Sequence, residues 1–134
     1  MQDLNTVEVA EPAAASVLIV ENDTFVSLAL STQCSVLGIK SDVRTKSDKA
    51  LELVESRLCS SSPFYGLILI DLQSAINMGA DVLAQTIYEK VKLKAPTQKL
   101  PSIHIMAETS NQLKKAESFR KNPAITSCFM KPIY

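Results

Sequence analysis

The 134-residue chain has no tryptophan, a single histidine, three glycines and three cysteines. It also has no apolar run near the roughly 20 residues needed to span a bilayer. Without such a run there is no candidate membrane helix. The cysteines, Cys34, Cys59 and Cys128, are odd in number and form no Cys-x-x-Cys pair. That pattern excludes a zinc ribbon and a disulfide framework, and it points to reduced thiols in an intracellular setting. Cys128 lies within an apolar run, where a free cysteine acts as a small hydrophobe. The lone His104 has no ligand companions at a metal-binding spacing, and it reads as a packed or edge-exposed strand residue.

Charge of one sign is also missing. Lysine plus arginine and aspartate plus glutamate each number 14, so overall charge points neither to nucleic acid nor to a membrane surface. The balance is uneven along the chain. Residues 1–88 hold 5 bases and 11 acids, whereas 89–134 hold 9 bases and 3 acids. The basic half includes Lys90, Lys92, Lys94, Lys114, Lys115, Arg120 and Lys121, which reads as solvated helix faces, with a docking surface for an acidic partner as the lesser alternative. Residues 1–16 are acidic and contain alanine and proline, without the basic start and apolar centre of a signal peptide. They are expected to form a disordered leader or linker ahead of one domain over 17–134.

What is present is a set of three apolar runs that each stop on a charge. Val17–Val20 runs into Glu21, Leu67–Ile70 into Asp71, and Cys128–Met130 into Lys131-Pro132. Short β-branched runs of this kind predict buried strands of a parallel sheet. Ligands of such sheets bind beyond the carboxyl ends of the strands, at a switch in chain order. Two carboxylates and an ammonium delivered to that edge suit a cation together with a phosphoryl group.

The pass along the chain predicts strand–helix alternation. Strands are expected at 17–21, 39–44, 65–71, 101–107 and 126–130, the third being the most apolar and therefore central. Helices are expected at 24–37, 47–58, 80–94 and 111–121. The first carries Phe25, Ala29, Leu30 and Leu37 near one face, with Gly38 as its C-terminal cap. The second repeats Leu51, Val54 and Leu58, and the third uses Val82, Leu83, Ile87 and Val91. Alternation of this length implies right-handed parallel crossovers and a three-layer α/β/α sandwich. No helix is encoded after the last strand, so its uncovered surface is a candidate for association.

Val-Leu-Ile-Val-Glu-Asn-Asp at 17–23, Leu-Ile-Leu-Ile-Asp-Leu-Gln at 67–73 and Phe-Met-Lys-Pro-Ile at 129–133 together resemble the receiver domain of two-component response regulators. The likeness is to the type attached to hybrid histidine kinases, and it covers about Ser16 to Tyr134. It implies a flavodoxin-like sheet of order 2-1-3-4-5 with the last helix missing. It implies a phosphoacceptor rather than an enzyme, with Asp71 taking a phosphoryl group from a histidine kinase or histidine phosphotransfer protein. It further implies Mg²⁺ held by Glu21, Asn22, Asp71 and the backbone carbonyl of Gln73. Lys131 would bind the phosphoryl oxygens, and the Lys131-Pro132 bond would be cis. Gln73 and Glu108 match positions that tune dephosphorylation.

The chain departs from that family at four places. Asn22 replaces an aspartate and brings no charge to the cation. Met106 replaces the switch threonine or serine, and a thioether cannot donate a hydrogen bond. Cys128 replaces the aromatic residue that couples to that switch, and Ser74-Ala75 replace Met-Pro. These departures open a second reading, a pseudo-receiver that serves as an interaction module without phosphorylation. A flavodoxin-type cofactor site is disfavoured because Glu21-Asn22-Asp23 would repel phosphate after the first strand. An aspartate-nucleophile phosphatase would place an acid where Gln73 stands.

Overall fold

A computed structural model describes residues 14–73 and 78–131. The expectations for the leader up to residue 13, for Ser74-Ala75 and for Pro132 therefore lie outside the described residues. The strands are β1 (Val17–Val20), β2 (Ser41–Arg44), β3 (Leu67–Asp71), β4 (Ser102–Ala107) and β5 (Ser127–Met130). The helices are α1 (Thr24–Val36), α2 (Ser47–Leu58), α3 (Ala80–Lys94) and α4 (Ser110–Glu117), the last followed by a 3₁₀ turn at Ser118–Lys121. The predicted helix over 111–121 is thus shorter and tightens at its end, as helix termini commonly do. The other expected elements are all present, with ends displaced by no more than two residues.

All strand pairs are parallel, in the order β2-β1-β3-β4-β5. The parallel layered sheet is what the alternation predicted, and its flavodoxin-like order with four described helices is what the resemblance implied. The most apolar run, β3, occupies the centre. Its side chains must be buried on both faces, which is why it reads as continuous Leu-Ile-Leu-Ile rather than as an alternation.

The two faces of the sheet are unequal. On one face α2, α3 and α4 cover a core of nineteen buried residues, built on Leu18, Val20, Ile68, Ile70, Ile103 and Ile105. Among the described residues, the apolar core of the other face is only Val17, Ile19, Leu69 and Met106, with Leu30, Cys34, Val43, Leu67 and Phe129 packed at their margin. Among the described residues, α1 is the only helix on that side, and none of its residues is fully buried. The expected inward face of α1 is corrected accordingly: Phe25 and Leu37 are exposed, and only Ala29 and Leu30 are partly covered. Val82 likewise points to solvent from α3, while Leu83, Ile87 and Val91 are buried as anticipated.

Gly38 ends α1 at φ +76°, a left-handed conformation that favours glycine. The Ile39 amide donates to the Cys34 carbonyl at 2.8 Å and the Gly38 amide to Ser35 at 3.0 Å, the paired bonds of a Schellman cap. At the amino edge of the sheet, Arg57 donates to the Ala15 carbonyl at 2.7 Å and to the Pro63 carbonyl at 3.1 Å. Its guanidinium stacks 4.1 Å above the buried Tyr65 ring. The Tyr65 hydroxyl donates to Asp42 at 2.6 Å. Burial pushes the Tyr65 phenol well above its usual pKa, and the bond to Asp42 adds to the rise. This cluster clamps the amino edge of the sheet.

Candidate functional site

Strand register determines which residues meet at the carboxyl edge. Val20 pairs with Ile70 and Arg44, Asp71 with Met106, and Ala107 with Met130. Three backbone bonds carry the ladder just past the strand ends. The Glu21 amide donates to the Arg44 carbonyl at 3.0 Å, Leu72 to Met106 at 2.9 Å, and Lys131 to Ala107 at 2.7 Å. These bonds tie Glu21, Lys131 and the residue after Asp71 into the sheet.

The three expected charges meet. Lys131 Nζ lies 2.9 Å from Glu21 Oε1 and 2.8 Å from Asp71 Oδ1. Glu108, exposed at the rim, has Oε1 at 4.0 Å from the same nitrogen. Glu21 and Asp71 are buried, and the Lys131 side chain nearly so. Burial raises the Glu21 carboxyl above its usual pKa, reinforced by the nearby Asp71 charge, although the Asp23 amide and Lys131 oppose the rise. Burial alone would lower the Lys131 ammonium, but its hydrogen bonds and charge attraction to Asp71 and Glu21 prevail and leave it raised. The cluster is one ammonium bridging two desolvated carboxylates, which is stable only because each charge is countered at short range.

The neighbouring acid has another task. The Asp23 carboxylate caps α1, accepting from the Phe25 amide at 2.9 Å and the Val26 amide at 3.2 Å. Its own amide donates to Glu21 Oε2 at 3.0 Å, which orients the buried glutamate. Asp23 is thus turned to its helix and does not supply the acid that the resemblance leads one to expect at Asn22. Asn22 itself is exposed on the short β1–α1 connection, and Gln73 is exposed in the turn two residues beyond Asp71. Among the described residues, no three His, Cys, Asp or Glu side chains form a metal-binding group.

At Met106 and Cys128, expected as altered switch positions, the side chains are built into the core. Met106 is fully buried beside Val17, Ile19 and Leu69, on the thinly covered face. The Cys128 thiol donates to the Ala116 carbonyl at 3.3 Å and packs on the other core. Burial raises the Cys128 thiol pKa. His104 is half-buried with Nδ1 2.6 Å from the Ser127 hydroxyl, away from the charged cluster. Burial lowers its pKa. Sequence reasoning missed the orienting bond from the Asp23 amide, since a backbone donor leaves no mark in residue identity. The helix cap itself had a signal, an aspartate directly before the first helical residue.

No family's sequence profile and no curated protein sequence matches the chain. Solved structures do. A CheY-like response regulator receiver domain from Methylobacillus flagellatus superposes with a TM-score of 0.64 at 20% identity, over 91% of this chain and 90% of that one. A CheY-like receiver domain from Methanospirillum hungatei gives a TM-score of 0.68 at 16% identity, over 91% and 85%. The fold is the receiver fold. The receiver domain of NtrX from Brucella abortus is similar too, with a TM-score of 0.64 at 17% identity, over 88% and 87% of the two chains. At such identities the receiver fold is what is shared, and the site rests on the geometry of this chain. As for membranes, no helix among the described residues is long and apolar enough to cross one.

Proposed function

We propose that the chain is a phosphoacceptor receiver domain in which Asp71 takes a phosphoryl group from a phosphohistidine. The observation that carries this reading is the meeting of Glu21, Asp71 and Lys131 at the carboxyl edge of a receiver-type sheet. A carboxylate oxygen of Asp71 attacks phosphorus and the new P–O bond forms. The P–N bond breaks and its electron pair returns to the donor imidazole. Negative charge gathers on the phosphoryl oxygens in transit, and the Lys131 ammonium, already against Asp71, is placed to offset it. The incoming group must loosen one arm of the ammonium bridge, and Glu21 keeps the other. The donor is a histidine kinase or a histidine phosphotransfer protein.

Mg²⁺ belongs to this proposal. The hard oxygens of Glu21, Asp71, Asn22 and the Gln73 carbonyl suit an ion bound through one or two carboxylates and several waters. When bound it screens the carboxylate from the anionic phosphoryl group. With Asn22 neutral and Asp23 committed to its helix, its affinity is lower than in a site with three acids.

A second reading is favoured by Met106 and Cys128. Neither side chain can answer a phosphoryl group at Asp71 with a hydroxyl or a swinging ring, so the fold would serve as a phosphorylation-independent interaction module. Incubation with acetyl phosphate and Mg²⁺, followed by intact-mass measurement beside Asp71→Asn, separates the two. The acceptor reading expects one phosphoryl adduct that Asp71→Asn abolishes. Its absence, under conditions that label an ordinary receiver, leaves the interaction module.

A further inference from the structure

Helix α1 is anomalous for a surface helix. From Thr24 to Ile39 the chain has no charged side chain. A solvent-facing helix normally alternates an apolar stripe with a charged face, and a helix apolar on all sides belongs in an interior. Yet α1 has no buried residue. Phe25, Leu28, Thr32 and Val36, spaced three and four residues apart, form one outward stripe, with the three large apolar side chains 81%, 61% and 81% exposed. Leu37 and Ile39, just past the helix end, are exposed as well. Among the described residues nothing covers the stripe.

We infer that this stripe is a self-association surface on which α1 of a second copy of the chain docks antiparallel about a two-fold axis. In such a contact each patch meets its own image, so a charge near the axis would face its like. A sixteen-residue stretch free of charge meets that requirement, whereas a charged partner would leave its own groups unpaired here. The flanks select the direction. Asp23 stands at the amino end of the helix and Lys40 four residues past its carboxyl end. Antiparallel docking sets Asp23 beside Lys40 of the second copy, twice, and opposes the two helix dipoles; parallel docking sets like charges together.

The size fits. Taking about 200 Å² for a large apolar side chain, the exposed parts of Phe25, Leu28 and Val36 amount to on the order of 450 Å². That is the apolar share of an interface burying roughly 800 Å² per partner, the ordinary size for a specific dimer. The expectation from sequence put association on the last strand. Met130 is exposed there, but Phe129 is half-covered, and the larger apolar area is on α1.

Sedimentation velocity between 1 and 200 µM tests the inference. The wild-type chain is expected to dimerise reversibly. Leu28→Glu and Val36→Glu, both at exposed positions, are each expected to weaken dimerisation at least tenfold while leaving the far-UV circular dichroism unchanged. Lys40→Asp is expected to weaken it less, and Asp71→Asn not at all, which keeps this result separate from the acceptor reading. A wild-type chain that stays monomeric at 200 µM overturns the inference. So does a dimer that both α1 variants leave intact but Met130→Glu dissociates, since the last strand would then be the contact.

Discussion

Lys131 is the counter-ion of two carboxylates that would otherwise be buried at like charge, and it holds both within 3 Å-class ion pairs of 2.9 and 2.8 Å. Leaving one side of a buried pair uncompensated typically costs about 3–5 kcal/mol. Lys131→Met, which keeps the apolar stem, is expected to lose about 3 kcal/mol of stability at pH 7 by urea unfolding. The sign of its pH dependence follows from Glu21. Its folded pKa is raised by burial, so its proton favours the folded state at low pH, and that contribution is lost as pH rises through the raised value. The deficit of Lys131→Met should therefore shrink between pH 7 and pH 4.5 as Glu21 takes up a proton. A deficit that does not change with pH would mean that lost packing, not charge, was the cause.

At the scale of elements, the β1–α1 connection joins the site to the helix. Asp23 caps α1 through two amide bonds and presents its own amide to Glu21. Asp23→Ala removes the cap and is expected to cost about 1 kcal/mol in urea unfolding. Because the Asp23 amide survives, the Glu21–Lys131 contact should persist, and acceptance of a phosphoryl group at Asp71 should be retained in the acetyl phosphate assay. The position of the strands was legible because each buried run is short, apolar and closed by a charge. The faces of the helices were less so. Periodicity correctly marked Leu83, Ile87 and Val91 in α3, but it also drew in Val82, one residue off the stripe. In α1 apolar residues lie on more than one side, so the face drawn through Phe25, Ala29, Leu30 and Leu37 mixed exposed with partly covered positions.

For the whole molecule, the two edges of the sheet divide the work. The amino edge is clamped by Arg57, Tyr65 and Asp42, and the carboxyl edge carries Glu21, Asp71 and Lys131. Both edges hold a group whose pKa is raised on folding, Tyr65 chiefly by burial and Lys131 through its carboxylate partners against the pull of burial. A raised pKa in the folded state contributes stability below the unfolded value and loses it as pH climbs past that value. The urea midpoint is therefore expected to fall above about pH 10, where both groups begin to ionise in the unfolded chain. Tyr65→Phe should flatten part of that fall while leaving the share due to Lys131. A midpoint that stays level to pH 11.5 would contradict both assignments.

The sequence by itself determined the alternation of strands and helices, the central place of Leu67–Asp71 and the three charges that end their runs, since each depends on local pattern and on the chain order that parallel crossovers allow. Against the resembled family it also marked Asn22, Met106 and Cys128 as departures, because residue identity states what a side chain can donate or coordinate. Only the tertiary structure decided that one ammonium spans both carboxylates, that Asp23 turns to its helix, that Met106 is sealed in the core and that Phe25 and Val36 face outward. Those outcomes depend on which surfaces are brought together and which are left uncovered. Burial belongs to the assembled layers, and no single segment of the chain carries it.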